Sequence, residues 1–74
     1  DDESMCRIYD YLIQAALFSN MGISQKELEH EMGLSYNTVR SRLKRIPEEL
    51  LITNKQGNRS FYLLNLKAVD KLLK

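Results

Sequence analysis

The chain has 74 residues, with 11 Lys+Arg against 10 Asp+Glu and a formal net charge of +1. That length allows one domain with a thin core, because a chain this small buries only roughly 60% of its unfolded surface. One cysteine, Cys6, permits no internal disulfide, so the fold must rest on packing. No apolar run approaches the ~18 residues of a membrane helix, and no cationic leader precedes an apolar segment with a small-residue cleavage site. The expectation is a non-secreted domain, cytoplasmic or, in a eukaryote, nuclear. Asp1 in place of an initiator Met leads us to expect an excised or processed chain. The near-zero net charge argues, at first sight, against a nucleic-acid partner, whose usual footprint is a basic excess.

Residues 4–19 read as a first helix. Ser4 is its expected N-cap, with Asp1, Asp2 and Glu3 just ahead where the helix dipole favours negative charge. Its polar residues Arg7, Asp10 and Gln14 cluster within an arc of roughly 60° at 100° per residue, and nearly everything else is apolar. A surface helix needs only one apolar stripe, so this one is either central in its own fold or turns a second face to a partner. Cys6, among apolar neighbours, is expected to be a buried, inert thiol.

Ser19-Asn20-Met21-Gly22 carries turn signals. Ser24 caps a second helix over 25–32. Glu27, three residues on, completes a capping box, and Ile23 is placed for a staple contact to Leu28. Gly33 suits the left-handed position after the helix. Ser35 caps a third helix over 36–46, closed by Pro47, which disfavours helical geometry at the residue before it. Residues 50–55 and 59–64 are short runs rich in apolar and branched residues. They form a hairpin across Gln56-Gly57-Asn58, with Gly57 or Asn58 taking the positive φ. Asn65 caps a last helix over 66–74, where Leu66, Val69, Leu72 and Leu73 recur at helical spacing. The fold class is mainly α with a small β-hairpin (α+β), in the order α-α-α-β-β-α.

The charge is sorted rather than absent. Residues 1–39 sum to −5, residues 40–59 to +4 and residues 60–74 to +2. Screening in physiological salt acts over about 8 Å, so a ligand at close range meets the local sum.

The stretch from Ser24 to Leu43 has helix-turn-helix grammar: Leu28, Met32, Leu34, Val39 and Leu43 lock two crossed helices, with Gly33 in the turn. With it come Ser-x-x-Thr-Val-x-x-x-Leu at 35–43, Gly57-Asn58-Arg59 at the hairpin tip and Tyr62-x-Leu64 on the returning strand. On these residues the chain resembles the winged helix-turn-helix superfamily of transcription regulators, from Ile23 to Leu64 and, with the flanking helices, over essentially the whole domain. Two positions depart from the pattern. Glu29 stands where members commonly have a small residue, and must lie flat toward solvent or loosen the contact between the two helices. Pro47-Glu48-Glu49-Leu50 replaces the glycine many members carry before the first wing strand, which implies an unusual angle between wing and third helix.

The resemblance implies sequence-specific binding of double-stranded DNA. With Val39, Leu43 and Ile46 toward the core, Asn37, Ser41 and Lys44 point away at about 100° per residue, flanked by Arg40 and Arg45. Tyr36 either leans toward that face or packs on Leu34, and Arg42 lies nearer the core as a structural contact. The outward face carries donors, one amide, one hydroxyl and no acid. That is major-groove chemistry: Arg or Lys to guanine, Asn to adenine, Ser to either. Tyr36, Asn37, Arg40 and Ser41 are the base-contact candidates, while Ser35, Thr38 and the free N–H groups at the helix start suit phosphate. Lys55, Asn58 and Arg59 at the wing tip reach the minor groove or backbone, and Lys26 is a further phosphate candidate. A homodimer through the first and last helices is expected, since a single module buries only a modest DNA interface.

The alternative is a winged helix that docks protein within a larger assembly. It is motivated by the apolar surplus of the first helix and by the acidic Glu27, Glu29 and Glu31. No enzyme is expected. His30 stands alone, without a cysteine or second histidine at metal-ligand spacing, and the three glycines form no phosphate loop. No metal, cofactor or small-molecule site is evident.

Overall fold

Helix α1 spans Asp2–Phe18 in the computed structural model, which describes residues 2–19 and 21–73. It is joined by β1 (Ile23–Ser24), α2 (Gln25–Met32), α3 (Tyr36–Lys44), a 3-10 turn (Glu48–Leu50), β2 (Leu51–Gln56), β3 (Arg59–Leu64) and α4 (Leu66–Leu73). The architecture is mixed α+β: four helices and one three-stranded antiparallel sheet in the order β1-β3-β2.

The helix starts and stops follow local chemistry. Ser24 Oγ accepts from the Glu27 N–H at 3.1 Å and Ser35 Oγ from the Thr38 N–H at 3.2 Å, each satisfying an amide that a first turn leaves unpaired. Gly33 closes α2 at φ 64°, and the Leu34 N–H reaches back to the Glu29 carbonyl at 3.1 Å, a Schellman-type ending. Asn65 Oδ1 caps α4 through the Ala68 N–H at 3.2 Å.

Several boundaries differ from expectation. α1 begins at Asp2, so Ser4 lies inside the helix and is not its cap; its hydroxyl instead accepts a bond from Arg42. Of the turn after α1, Asn20 lies outside the described residues, as do Asp1 and the final Lys74. α3 ends at Lys44 rather than at residue 46, because its last turn tightens: the Arg45 and Ile46 N–H groups bond three residues back, to Arg42 and Leu43. Pro47-Glu48-Glu49-Leu50 becomes the 3-10 turn, closed by the Leu50 N–H on the Pro47 carbonyl at 2.9 Å, and β2 starts one residue later than expected. The hairpin loop has two residues, not three. Gln56 pairs with Arg59, and Gly57 alone takes positive φ, at 60°, in keeping with a type II′ turn. β1, which no sequence pattern marks, pairs Ile23 with Tyr62 and Ser24 with Phe61.

Among the described residues four side chains are wholly buried: Ile8 and Leu12 from α1, Leu28 from α2 and Val39 from α3. α1 packs on β3 and touches α2, α3 and β1, so it is the central helix of its own fold. Its solvent arc is wider than the three polar residues indicate. Cys6 is exposed, not buried, because at 100° per residue it falls within about 40° of Asp10. Leu17 shares that arc, and Phe18 at the helix end is 84% exposed.

Gly22, in the turn entering β1, has φ 110°, and a Cβ there would sit 2.6 Å from the Tyr62 carbonyl oxygen. The close approach of turn and β3 therefore requires glycine. α4 lies against the 3-10 turn, held through Asn65, whose N–H bonds the Leu50 carbonyl at 2.8 Å and whose Nδ2 bonds the Glu49 carbonyl at 3.3 Å. Of its apolar residues, Val69 packs against the core, while Leu72 and Leu73 stand 69% and 82% exposed. No helix of the described residues is long and apolar enough to cross a membrane.

Candidate nucleic-acid interface

The outward side of α3 is set by what its inward side buries. Val39 and Leu43 enter the core, and Ile46 follows just past the helix end. That rotation leaves Tyr36, Asn37, Arg40, Ser41, Lys44 and Arg45 exposed. The helix carries no acid, so the exposed strip presents three basic groups, an amide and two hydroxyls. Arg42 is half-buried and donates from Nε to the Ser4 hydroxyl; it is a brace and not part of the strip.

The start of α3 is ordered by short polar links. The Ser35 hydroxyl is engaged twice, accepting the Thr38 N–H and donating to Thr38 Oγ1 at 2.9 Å. Its capping role thus absorbs the hydroxyl that the sequence offered to phosphate, and the N–H groups of the first turn are what remain for an anion. Gln25 Nε2 donates to the Tyr36 carbonyl at 3.1 Å, and Arg40 Nη1 donates to the Tyr36 hydroxyl at 3.3 Å. Tyr36, 53% exposed, leans along the outer face of α3 toward Arg40.

A groove of about 610 Å³ separates this helix from the hairpin. α2 contributes Gln25, Lys26 and Glu27 from its first turn and His30 from its last, α3 contributes Tyr36 and Arg40, and the hairpin contributes Asn58, Arg59, Ser60 and Tyr62. Three basic side chains, Lys26, Arg40 and Arg59, thus face one carboxylate across an open cleft, a local field that favours anions.

The structure therefore gathers only some of the expected residues. Tyr36, Arg40, Asn58 and Arg59 share the groove, joined by Lys26. Asn37, Ser41, Lys44 and Arg45 continue the exposed strip beyond it. Lys55 is exposed but sits in a separate depression with Met21, Asn54 and Gln56. The sequence expectation for this face did not include Gln25, His30, Ser60 or Tyr62. A signal existed for the first two: Lys26 and His30 lie four residues apart and so share a helix face, and Gln25 opens α2 beside the turn that delivers α3.

Glu29 is half-buried about one turn before the end of α2, and its carbonyl accepts the Leu34 N–H. Among the described residues no group of three or more His, Cys, Asp or Glu is placed to hold a metal ion. No protein-family model matches the chain, and no curated protein matches its sequence.

Proposed function

We propose that this chain binds double-stranded DNA sequence-specifically, as a winged helix-turn-helix domain of a dimeric transcriptional regulator. α3 enters the major groove, and the β2–β3 hairpin acts as the wing on the backbone or minor groove. One observation carries the reading: an exposed, acid-free helix face bearing Asn37, Arg40, Ser41 and Lys44 stands beside a cleft holding Lys26 and Arg59. The helix face supplies base-edge donors and the cleft supplies cations for phosphates, the two contact classes a specific complex needs. The reading assigns no catalysis and no cofactor, and places the protein where DNA is, in the cytoplasm or a nucleus.

The net charge of +1 implies weak non-specific affinity, so tight binding needs correct base contacts or a second subunit. The second subunit is a copy of this chain, docked through α1 and α4. Leu17 and Phe18 at the end of α1 and Leu66, Leu72 and Leu73 on α4 are the exposed apolar side chains in question. The deciding experiment is selection of bound duplexes from a random pool, followed by titration of the winner against salt. A steep fall in affinity with salt, deepened by Arg40→Ala, is the expected result; salt-independent or undetectable binding by a well-folded dimer rejects it.

The same exposed leucines of α4 favour the second reading, a module that docks another protein in a larger assembly. A strict monomer that binds no duplex would establish that reading instead.

A further inference from the structure

We propose that Gln25 and Tyr36 hold Arg40 for the edge of a guanine, which makes Tyr36 a positioning residue that sets one base pair of the recognised sequence. The inference rests on the duplex-DNA reading. Arg40 lies one helical turn after Tyr36 and donates from Nη1 to its hydroxyl at 3.3 Å. Tyr36 is itself held from behind, its carbonyl accepting from Gln25 Nε2 at 3.1 Å. Gln25 is the first residue of α2 and follows the cap Ser24, so the chain of contacts runs from a fixed helix start, across the turn, to the guanidinium.

What the contact leaves open is specific. A guanidinium has five N–H donors in a planar fork. The Tyr36 hydroxyl takes one on Nη1 and leaves the Nε–Nη2 edge whole, as two parallel donors. In the major groove guanine offers two adjacent acceptors, N7 and O6, whereas adenine offers one acceptor beside a donor. A fixed two-donor edge therefore discriminates between them. The surrounding groove makes the restraint matter. Glu27 lines it and is an acceptor that a loose guanidinium would seek, while Lys26 and Arg59 repel one that folds inward. Holding Arg40 on Tyr36 fixes it where the groove meets the outer face of α3, with its freedom already spent before docking.

The test is parallel selection from one random duplex pool with the wild-type protein, Tyr36→Phe, Gln25→Ala and Arg40→Gln, each checked for folding by thermal melting. Wild type should enrich guanine at a position that Arg40→Gln no longer prefers. Tyr36→Phe keeps the ring and every charge, yet should lose about fivefold of that preference, the worth of one ordinary hydrogen bond, with the other positions unchanged. Gln25→Ala should lose preference at the same position. Enrichment by Tyr36→Phe indistinguishable from wild type overturns the positioning role, as does guanine preference that survives Arg40→Gln. Failure of the wild-type protein to enrich any duplex overturns the DNA reading itself, a different and separately visible result.

Discussion

Arg42 on α3 donates from Nε to the hydroxyl of Ser4 on α1 at 3.0 Å, across 38 residues of chain. The bond ties the exposed strip of α3 to the central helix. It also removes one of the six basic residues between 40 and 59 from the surface a ligand meets. Arg42→Ala and Ser4→Ala should each lower unfolding free energy by about 1 kcal/mol. The double variant should lose less than the two added together, since both remove one shared contact. Denaturant unfolding of the four proteins reads this cycle, and strict additivity would show that the contact contributes nothing.

Gly22 offers a sharper stability test. Gly22→Ala places a methyl against the Tyr62 carbonyl and forces an L residue to φ 110°. Conformational strain alone costs about 1–3 kcal/mol, and the contact adds to it. The melting temperature should fall by roughly 8 °C or more, given about 4–8 °C per kcal/mol for a domain this size. Gly33→Ala, where a Cβ would meet nothing within 4 Å, carries only the φ penalty and should cost less.

Salt titration separates the cations by role. Lys44→Gln and Lys55→Gln should each weaken duplex binding evenly across sequences and lower the salt slope by about one. Arg42→Gln, turned inward, should leave the slope nearly unchanged. If Lys44→Gln also leaves it unchanged, the exposed strip does not face phosphate.

Self-association should depend on α4. Replacing Leu72 and Leu73 with glutamate removes two large exposed apolar side chains and puts charge in their place. Sedimentation should show association weakened by more than about tenfold, since even one such side chain is worth about 1.5–3 kcal/mol when buried. The helical signal should persist, because the core holds neither residue. A dimer that tolerates the change would move the contact elsewhere.

Helix positions were legible in the sequence where a side chain announced them. Ser24, Ser35 and Asn65 each cap the helix they precede, and Gly33 closes α2 in the left-handed conformation. Ser4 misled because a cap residue three places inside a longer helix looks the same from sequence. β1 escaped notice because two residues are too few to show alternation; its existence depends on Tyr62 and Phe61, almost forty residues away. Cys6 is exposed against expectation because the solvent arc of α1 includes apolar residues, Leu17 among them, so hydrophobicity alone does not mark burial there. In the candidate site, the α3 face followed from periodicity about Val39 and Leu43. Which hairpin residues meet it did not, since only the sheet brings Asn58 and Arg59 to the groove and leaves Lys55 outside.

Ser24 is at once the last residue of β1 and the cap of α2. The strand ends where the helix begins, with no slack between them, and the strand is sewn to β3. The gap between the start of α2 and the hairpin is therefore a gauge of fixed opening, like the jaws of a calliper locked before measuring. Two paired residues, Ile23 with Tyr62 and Ser24 with Phe61, thus set how far apart the two walls of that gap stand.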